Sequence, residues 1–159
     1  MSIARADGPV EVPAVTAAAL WTNPDRWATF VEGFAHVNEK RDGWPEPGGK
    51  IVWRSIPGGR GIVTERVLEH TRDDDGSTRI VSRVFEEALT GTQTATFTQT
   101  DVGCEMALEL EYELAPNTVM RTGVLGKITN ALFIRRALSD SLARTIRRFT
   151  TEAHEEASL

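Results

Sequence analysis

Between Leu89 and Leu114 the chain keeps a strict period of two, and this limits its possible folds more than any other feature. Threonine occupies positions 90, 92, 94, 96, 98 and 100, with Gln93, Ala95, Phe97 and Gln99 between them. Successive side chains of a strand point to opposite faces, so the threonines share one face and Gln93 and Phe97 the other. Asp101-Val102-Gly103 turns the chain. Cys104, Met106, Leu108, Leu110, Tyr112 and Leu114 then alternate with Glu105, Ala107, Glu109, Glu111 and Glu113. One face is apolar and the other mainly acidic, as in an antiparallel strand buried on one side. Pro116 and Asn117 end it.

Beyond that point the period changes. Leu125, Ile128, Leu132, Leu138, Leu142, Ile146, Phe149 and Ala153 recur at helical spacing, which predicts one long helix from Leu125 to about His154. At roughly 100° per residue they project onto one stripe. Thr118 to Gly126 stays open between a loop, a short helix and the first turns of that helix. Gly123 and Gly126 would each weaken a helix by roughly 1 kcal/mol.

Upstream, Ile3 to Val12 reads as a strand closed by Pro13. Val15–Trp21 and Pro24–Val31 read as two short helices, the second opened by Asn23 as N-cap and Pro24 at the first helical position. Gly33–Glu39, Lys50–Ile56, Ile62–His70 and Thr78–Glu86 read as strands. The Gly- and Pro-rich loop Arg41–Gly49, the turn Pro57-Gly58-Gly59-Arg60-Gly61 and the acidic turn Asp73-Asp74-Asp75-Gly76 separate them. Strands joined by short turns imply a meander. The predicted class is α+β: a curved antiparallel sheet of about seven strands, with two short helices, closed over a long C-terminal helix. Residues 1–159 make one expected domain, large enough to bury roughly 70% of its unfolded surface. Such a layout tends to leave a cavity between sheet and helix.

Composition narrows the function. A net charge of −5 disfavours a general nucleic-acid binder, which needs a basic footprint. With Cys104 as the one cysteine, no intrachain disulfide is possible, which fits a reducing cytoplasm. Met1 to Val12 has no apolar signal-peptide core, and no run approaches the ~18 apolar residues of a membrane-spanning helix. A cytoplasmic protein without stable membrane insertion is expected, as monomer or homodimer. His36, His70 and His154 lie far apart without metal-ligand spacing, so neither metal nor cofactor is expected.

Polar residues on apolar faces are the candidates for a site. On an ideal helix Arg135 and Ser139 fall within about 20° of the direction of Ile128, among Leu132, Leu142 and Ile146. A guanidinium facing an apolar pocket is costly unless paired. Arg135 therefore either meets a carboxylate, phenolate or enolate of a ligand, or snorkels to solvent or pairs with a glutamate. Trp53 and Ser55 share a strand face, Tyr112 lies on an apolar face, and Gln93 lies opposite the threonines. With Phe97, Leu108, Leu132, Arg135 and Ser139 they form the expected cavity wall. His36 reads as an acid–base group or a surface residue, and Cys104 as a small core residue. The Gly58-Gly59-Arg60-Gly61 run lacks the Lys-Ser/Thr ending of a phosphate loop and reads as a hairpin. Arg136, Arg144, Arg147 and Arg148, with Asp140, read as a solvated helix face.

Five local features join the element order: Val12-Pro13, Asn23-Pro24-Asp25-Arg26-Trp27, Pro47-Gly48-Gly49, Val67-Leu68-Glu69 and Tyr112-Glu113-Leu114. Over nearly its whole length the chain resembles the helix-grip (SRPBCC) superfamily. That group includes START lipid-transfer domains, the Bet v 1 birch-pollen-allergen type and bacterial polyketide cyclase/dehydrase relatives. The resemblance is architectural and includes no catalytic motif. It implies a hydrophobic small molecule held between sheet and helix, and in one subset the cyclisation and aromatisation of polyketide chains. Aromatase/cyclases of the superfamily place Trp, Ser and Arg at alternate positions of one strand. Trp53 and Ser55 match, Pro57 stands where the Arg is expected, and Arg54 is on the opposite face. The expected function is binding or transport of a small hydrophobic ligand (lipid, polyketide or aromatic metabolite), with no catalytic residue assigned. The alternatives are a polyketide aromatase/cyclase and an interaction domain whose cavity the four tryptophans fill.

Overall fold

A computed structural model describes residues 1–116 and 123–159, with side chains from 131 onward in the last helix. The chain runs β1 (Ser2–Val10), α1 (Ala14–Trp21), a 3-10 turn (Pro24–Arg26), α2 (Trp27–Phe30), β2 (Phe34–Arg41), β3 (Lys50–Ser55), β4 (Ile62–Arg72), β5 (Thr78–Phe85), β6 (Leu89–Thr100), β7 (Gly103–Leu114) and α3 (Gly123–Ala157). One seven-stranded sheet has the order β1-β7-β6-β5-β4-β3-β2, and every neighbouring pair is antiparallel. The meander covers β2 to β7; β1 closes the far edge against β7, and α1 and α2 span the distance between the two edge strands.

The alternating block forms the regular centre. β6 and β7 pair without a slip from Leu89↔Leu114 to Thr100↔Gly103, joined across Asp101-Val102. Gly103 is required there: a Cβ would lie 2.2 Å from the carbonyl oxygen of Val10, where the end of β1 crosses the hairpin. The odd positions of β6 and the even positions of β7 face inward, and Ala95, Phe97, Met106 and Leu108 are buried. The threonine face looks outward.

The helix-start signal before Trp27 forms as its chemistry requires. Asn23 Oδ1 accepts from the backbone N–H of Asp25 at 3.1 Å, and Pro24 occupies the first position. The end of α1 leaves carbonyls without intrahelical partners. Two indoles satisfy them: Trp27 Nε1 donates to Trp21 O at 2.8 Å, and Trp44 Nε1 to Thr22 O at 3.0 Å. Trp44 also packs against Gly49, where a Cβ would come within 2.6 Å of the Trp44 backbone.

Helix α3 lies on the inner side of the sheet. Phe149 is fully buried, with ring centroids at 5.0 Å from Phe30, 5.7 Å from Trp21 and 6.2 Å from Phe97. Arg26 pairs with the buried Glu152, tying the 3-10 turn to the helix. A second, smaller cluster of Ala4, Leu89, Leu110 and Tyr112 receives Ile134 and Leu138, and Leu142 packs against both clusters.

The helix differs from the sequence expectation in its rotation. Leu132 is 58% exposed and Arg135 is exposed. Of the expected stripe, Leu138, Leu142, Ile146, Phe149 and Ala153 do face the core, and it is the direction taken from Ile128, with Leu132, Arg135 and Ser139 inward, that fails. The buried stripe comprises Ile134, Leu138, Leu142, Thr145, Ile146, Phe149, Glu152 and Ala153. Its centre is rotated by roughly 70° from Ile128 on an ideal helix. Residues 118–122 of the ambiguous Thr118–Gly126 stretch lie outside the described residues; 123–126 are helical.

Candidate functional site

Between the inner sheet face, the α1–α2 segment and α3 lies a cavity of about 430 Å³. That is within the range of roughly 300–1,000 Å³ for small-molecule sites. Trp21, Trp27, Trp44 and Trp53 all line it. They wall the space instead of filling it, because they pack on other aromatic rings: Trp27 meets Trp44 edge-on at 5.8 Å and Trp53 at 6.4 Å, and Trp21 stacks on Phe30 at 5.6 Å. Edge-to-face packing of this kind fixes aromatic side chains beyond what their burial supplies. Phe30, Ile80, Ala95, Leu108 and Leu142 complete the apolar lining.

The polar lining is concentrated in two places. The deeper one is on the sheet. Glu65 lies between the buried Val63 and Val67 on the inner face of β4. Trp53 Nε1 donates to Glu65 Oε2 at 2.7 Å. Glu65 is half-buried and borders the cavity. Burial dominates its protonation and raises its pKa above 4.5. The Trp53 hydrogen bond and the positive charge of Arg60 oppose this, and Glu86 reinforces it. Ser82 and Gln93, cross-strand partners on β5 and β6, border the same space.

The second polar group joins Glu32 and Ser141 of the lining to Arg144. Ser141 Oγ donates to Glu32 Oε2 at 2.8 Å, and the Arg144 guanidinium holds the same carboxylate at 3.1 and 3.3 Å. Burial alone would raise the Glu32 pKa, but the Ser141 and Arg144 hydrogen bonds outweigh it and the net shift is downward. This pair joins the α2–β2 turn to α3. The hairpin Pro57-Gly58-Gly59-Arg60 also lines the cavity.

Of the residues proposed from sequence, Trp53, Gln93 and Leu108 line the cavity. Ser55 is buried but its hydroxyl serves the hairpin, accepting from Gly61 N at 2.8 Å and donating to Ile56 O at 3.0 Å. Phe97 packs in the core beneath Phe149. Tyr112 belongs to the smaller cluster. Leu132 and Arg135 face solvent and Ser139 is half-buried outside the wall; Ser141 and Thr145 take the inward positions instead. His36 is exposed. Cys104 is buried, and burial pushes its thiol up to about 11. Arg144, read from sequence as solvated, holds Glu32.

Glu65 and Arg60 are the main residues that sequence reasoning missed. Glu65 carried a readable signal: a carboxylate two residues from an apolar neighbour on either side along one face of β4, Val63 and Val67. Arg60 carried none, since a turn residue has no periodicity to betray its direction. It reaches back over the Trp53 ring, 5.1 Å from the centroid. Among the described residues no group of three or more His, Cys, Asp or Glu side chains is arranged to hold a metal ion, and no helix is long and apolar enough to cross a membrane.

No family model matches the sequence, and no curated protein matches it. Solved structures do. The di-domain ARO/CYC StfQ from the steffimycin biosynthetic pathway superposes with a TM-score of 0.72 at 16% identity, over 99% of this chain and 52% of that one. The chain thus spans about half the length of StfQ. The SA2116 protein of Staphylococcus aureus superposes at 0.73, with 11% identity, over 99% and 96% of the two chains. A Thalictrum flavumn norcoclaurine synthase point mutant superposes at 0.63, with 12% identity, over 98% and 96%. At these identities the likeness is one of fold. The chain has the helix-grip α+β fold.

Proposed function

We propose that this protein binds a small hydrophobic molecule with an aromatic or polyketide-like body in the cavity between sheet and C-terminal helix. The observation that carries the reading is the tryptophan-walled space of about 430 Å³, apolar over most of its lining and supplied with a few inward polar groups. This is the composition of a small-molecule site. The fold it shares with StfQ and norcoclaurine synthase supports the same use of the same space.

Extraction and native mass spectrometry of the purified protein test it. A stoichiometric small molecule, or saturable quenching of the tryptophans by an added aromatic ligand, is the expected result. A protein that neither retains nor takes up any such molecule overturns it. A second reading, an aromatase/cyclase, draws on Glu65, a protonatable carboxyl inside the cavity that could move a proton on a bound chain. Turnover of a polyketide-like substrate that Glu65→Gln abolishes would favour it. The third reading, a cavity filled by its own side chains, conflicts with the open volume.

A further inference from the structure

We infer that the cavity selects an uncharged, ring-bearing ligand through a hydrogen-bond-accepting oxygen, such as a ketone carbonyl, seated among Glu65, Ser82 and Gln93. The inference rests on the proposed binding site and specifies what that site recognises.

The first argument is placement. Glu65 pairs across the ladder with Val84, and Ser82 with Gln93. Ser82 is two residues from Val84, so it shares Glu65's face as its diagonal neighbour, within about 7–8 Å. Three polar side chains from three adjacent strands thus share one stretch of the inner face and border the same cavity.

The second is their unused capacity. Trp53 engages one oxygen of Glu65. Among the described residues its other oxygen, the Ser82 hydroxyl and the Gln93 amide make no protein hydrogen bond, and all three side chains border the cavity. Polar groups in such a position are completed by a ligand or by water.

The third is charge. Arg60 from the hairpin turn and Glu86 after β5 are the charged groups that act on Glu65. β3 presents Trp53 to the cavity, β5 presents Ile80 and Ser82, and α3 presents Ser141, Leu142 and Thr145. Arg60 is held by Glu86 and Arg144 by Glu32. A carboxylate ligand would find no unpaired cation among these groups and would face Glu65. An ammonium ligand would face Arg60 and need Glu65 ionised, which burial opposes. A neutral acceptor meets neither penalty. The Gln93 NH₂ and the Ser82 hydroxyl can each donate to it, as can the Glu65 carboxyl in its protonated form, which burial favours, and its ring lies against the tryptophans.

Titration of tryptophan emission at pH 7 with 2-acetylnaphthalene, 2-naphthoate, 2-(aminomethyl)naphthalene and naphthalene tests this. The ketone is expected to bind at least tenfold more tightly than the other three. Glu65→Gln, which still donates, keeps the ketone affinity within about threefold and removes its decline at high pH. Glu65→Leu and Gln93→Leu each weaken it severalfold or more. A ranking led or matched by the acid, the amine or plain naphthalene overturns the inference while leaving cavity binding intact. So does unchanged ketone affinity in both leucine variants. If none of the four binds, the binding reading itself fails and the inference with it.

Discussion

The Arg60 guanidinium lies 5.1 Å from the centroid of the Trp53 ring while its Nε and Nη2 sit 2.6 and 2.5 Å from Glu86 Oε2. Trp53 passes its own N–H to Glu65. A chain of four side chains, Glu86–Arg60–Trp53–Glu65, therefore runs from the end of β5 through the hairpin turn and β3 to β4. Resemblance led to the expectation of an arginine two positions beyond Ser55, where Pro57 stands. A guanidinium nonetheless reaches the same indole, from the turn instead of the strand.

Removing Arg60 would leave the Glu86 side chain, 6% exposed, buried without its partner. An unpartnered buried group costs about 1–3 kcal/mol. Arg60→Ala is expected to lower stability by that amount in urea unfolding at pH 7. Arg60→Ala combined with Glu86→Gln is expected to recover most of the loss, because the uncompensated charge is then gone. An additive double variant would show that the two groups are not coupled.

Glu65 sets a pH dependence of defined sign. Its folded pKa is raised above 4.5 by burial, so over the interval from about 4.5 upward the native state binds more protons than the unfolded chain. Stability then falls as pH rises through that interval and levels off above the folded pKa. Glu65→Gln keeps an acceptor for the Trp53 indole but cannot ionise. Its stability relative to wild type is expected to increase from pH 4.5 upward, and equilibrium unfolding at pH 4, 6 and 8 measures the difference. A constant difference across the three would refute the assignment.

How much of this was legible in the sequence depends on periodicity. β6 and β7 were readable almost residue by residue, because a period of two over 26 positions, Leu89 to Leu114, leaves only one assignment of faces. The Asn23-Pro24 helix start was readable because capping is local chemistry. The rotation of α3 was not. Its later residues Leu138, Leu142, Ile146, Phe149 and Ala153 do mark the inner side, but a direction taken from Ile128 turns Leu132, Arg135 and Ser139 inward, where tertiary contacts place Ile134, Ser141 and Thr145 instead. Ten of the 23 lining residues come from loops and turns, Trp44 and Arg60 among them, and such residues show their direction only once the strands beneath them are placed.

The rotation of α3 makes a stability contrast. Phe149 has no exposed surface and contacts three other aromatic rings, so Phe149→Ala is expected to cost about 3–5 kcal/mol. Leu132→Ala and Arg135→Ala change exposed side chains and are expected to stay within about 0.5 kcal/mol of wild type. Arg135→Ala is also expected to leave ligand affinity unchanged. Chemical denaturation of the three variants, with a ligand titration of the last, decides the matter. A severe loss in Leu132→Ala would restore the expected stripe.

Glu32 is expected to control exchange more than stability. Its carboxylate is joined to Ser141 and Arg144, yet the pair is half exposed, and exposed ion pairs contribute about 0–1 kcal/mol. Glu32→Gln should therefore leave the unfolding midpoint almost unmoved. It joins the α2–β2 turn to α3, two elements that both line the cavity, so if a guest leaves between them the same substitution should raise the dissociation rate of a bound fluorescent ligand severalfold. Because the Glu32 pKa is lowered, the latch is fully formed above pH 4.5 and weakens as pH falls through the depressed folded value. Stopped-flow dissociation should accelerate over that acidic window in wild type and be flat in Glu32→Gln. Equal rates in both proteins at pH 7 would show that the guest leaves by another route.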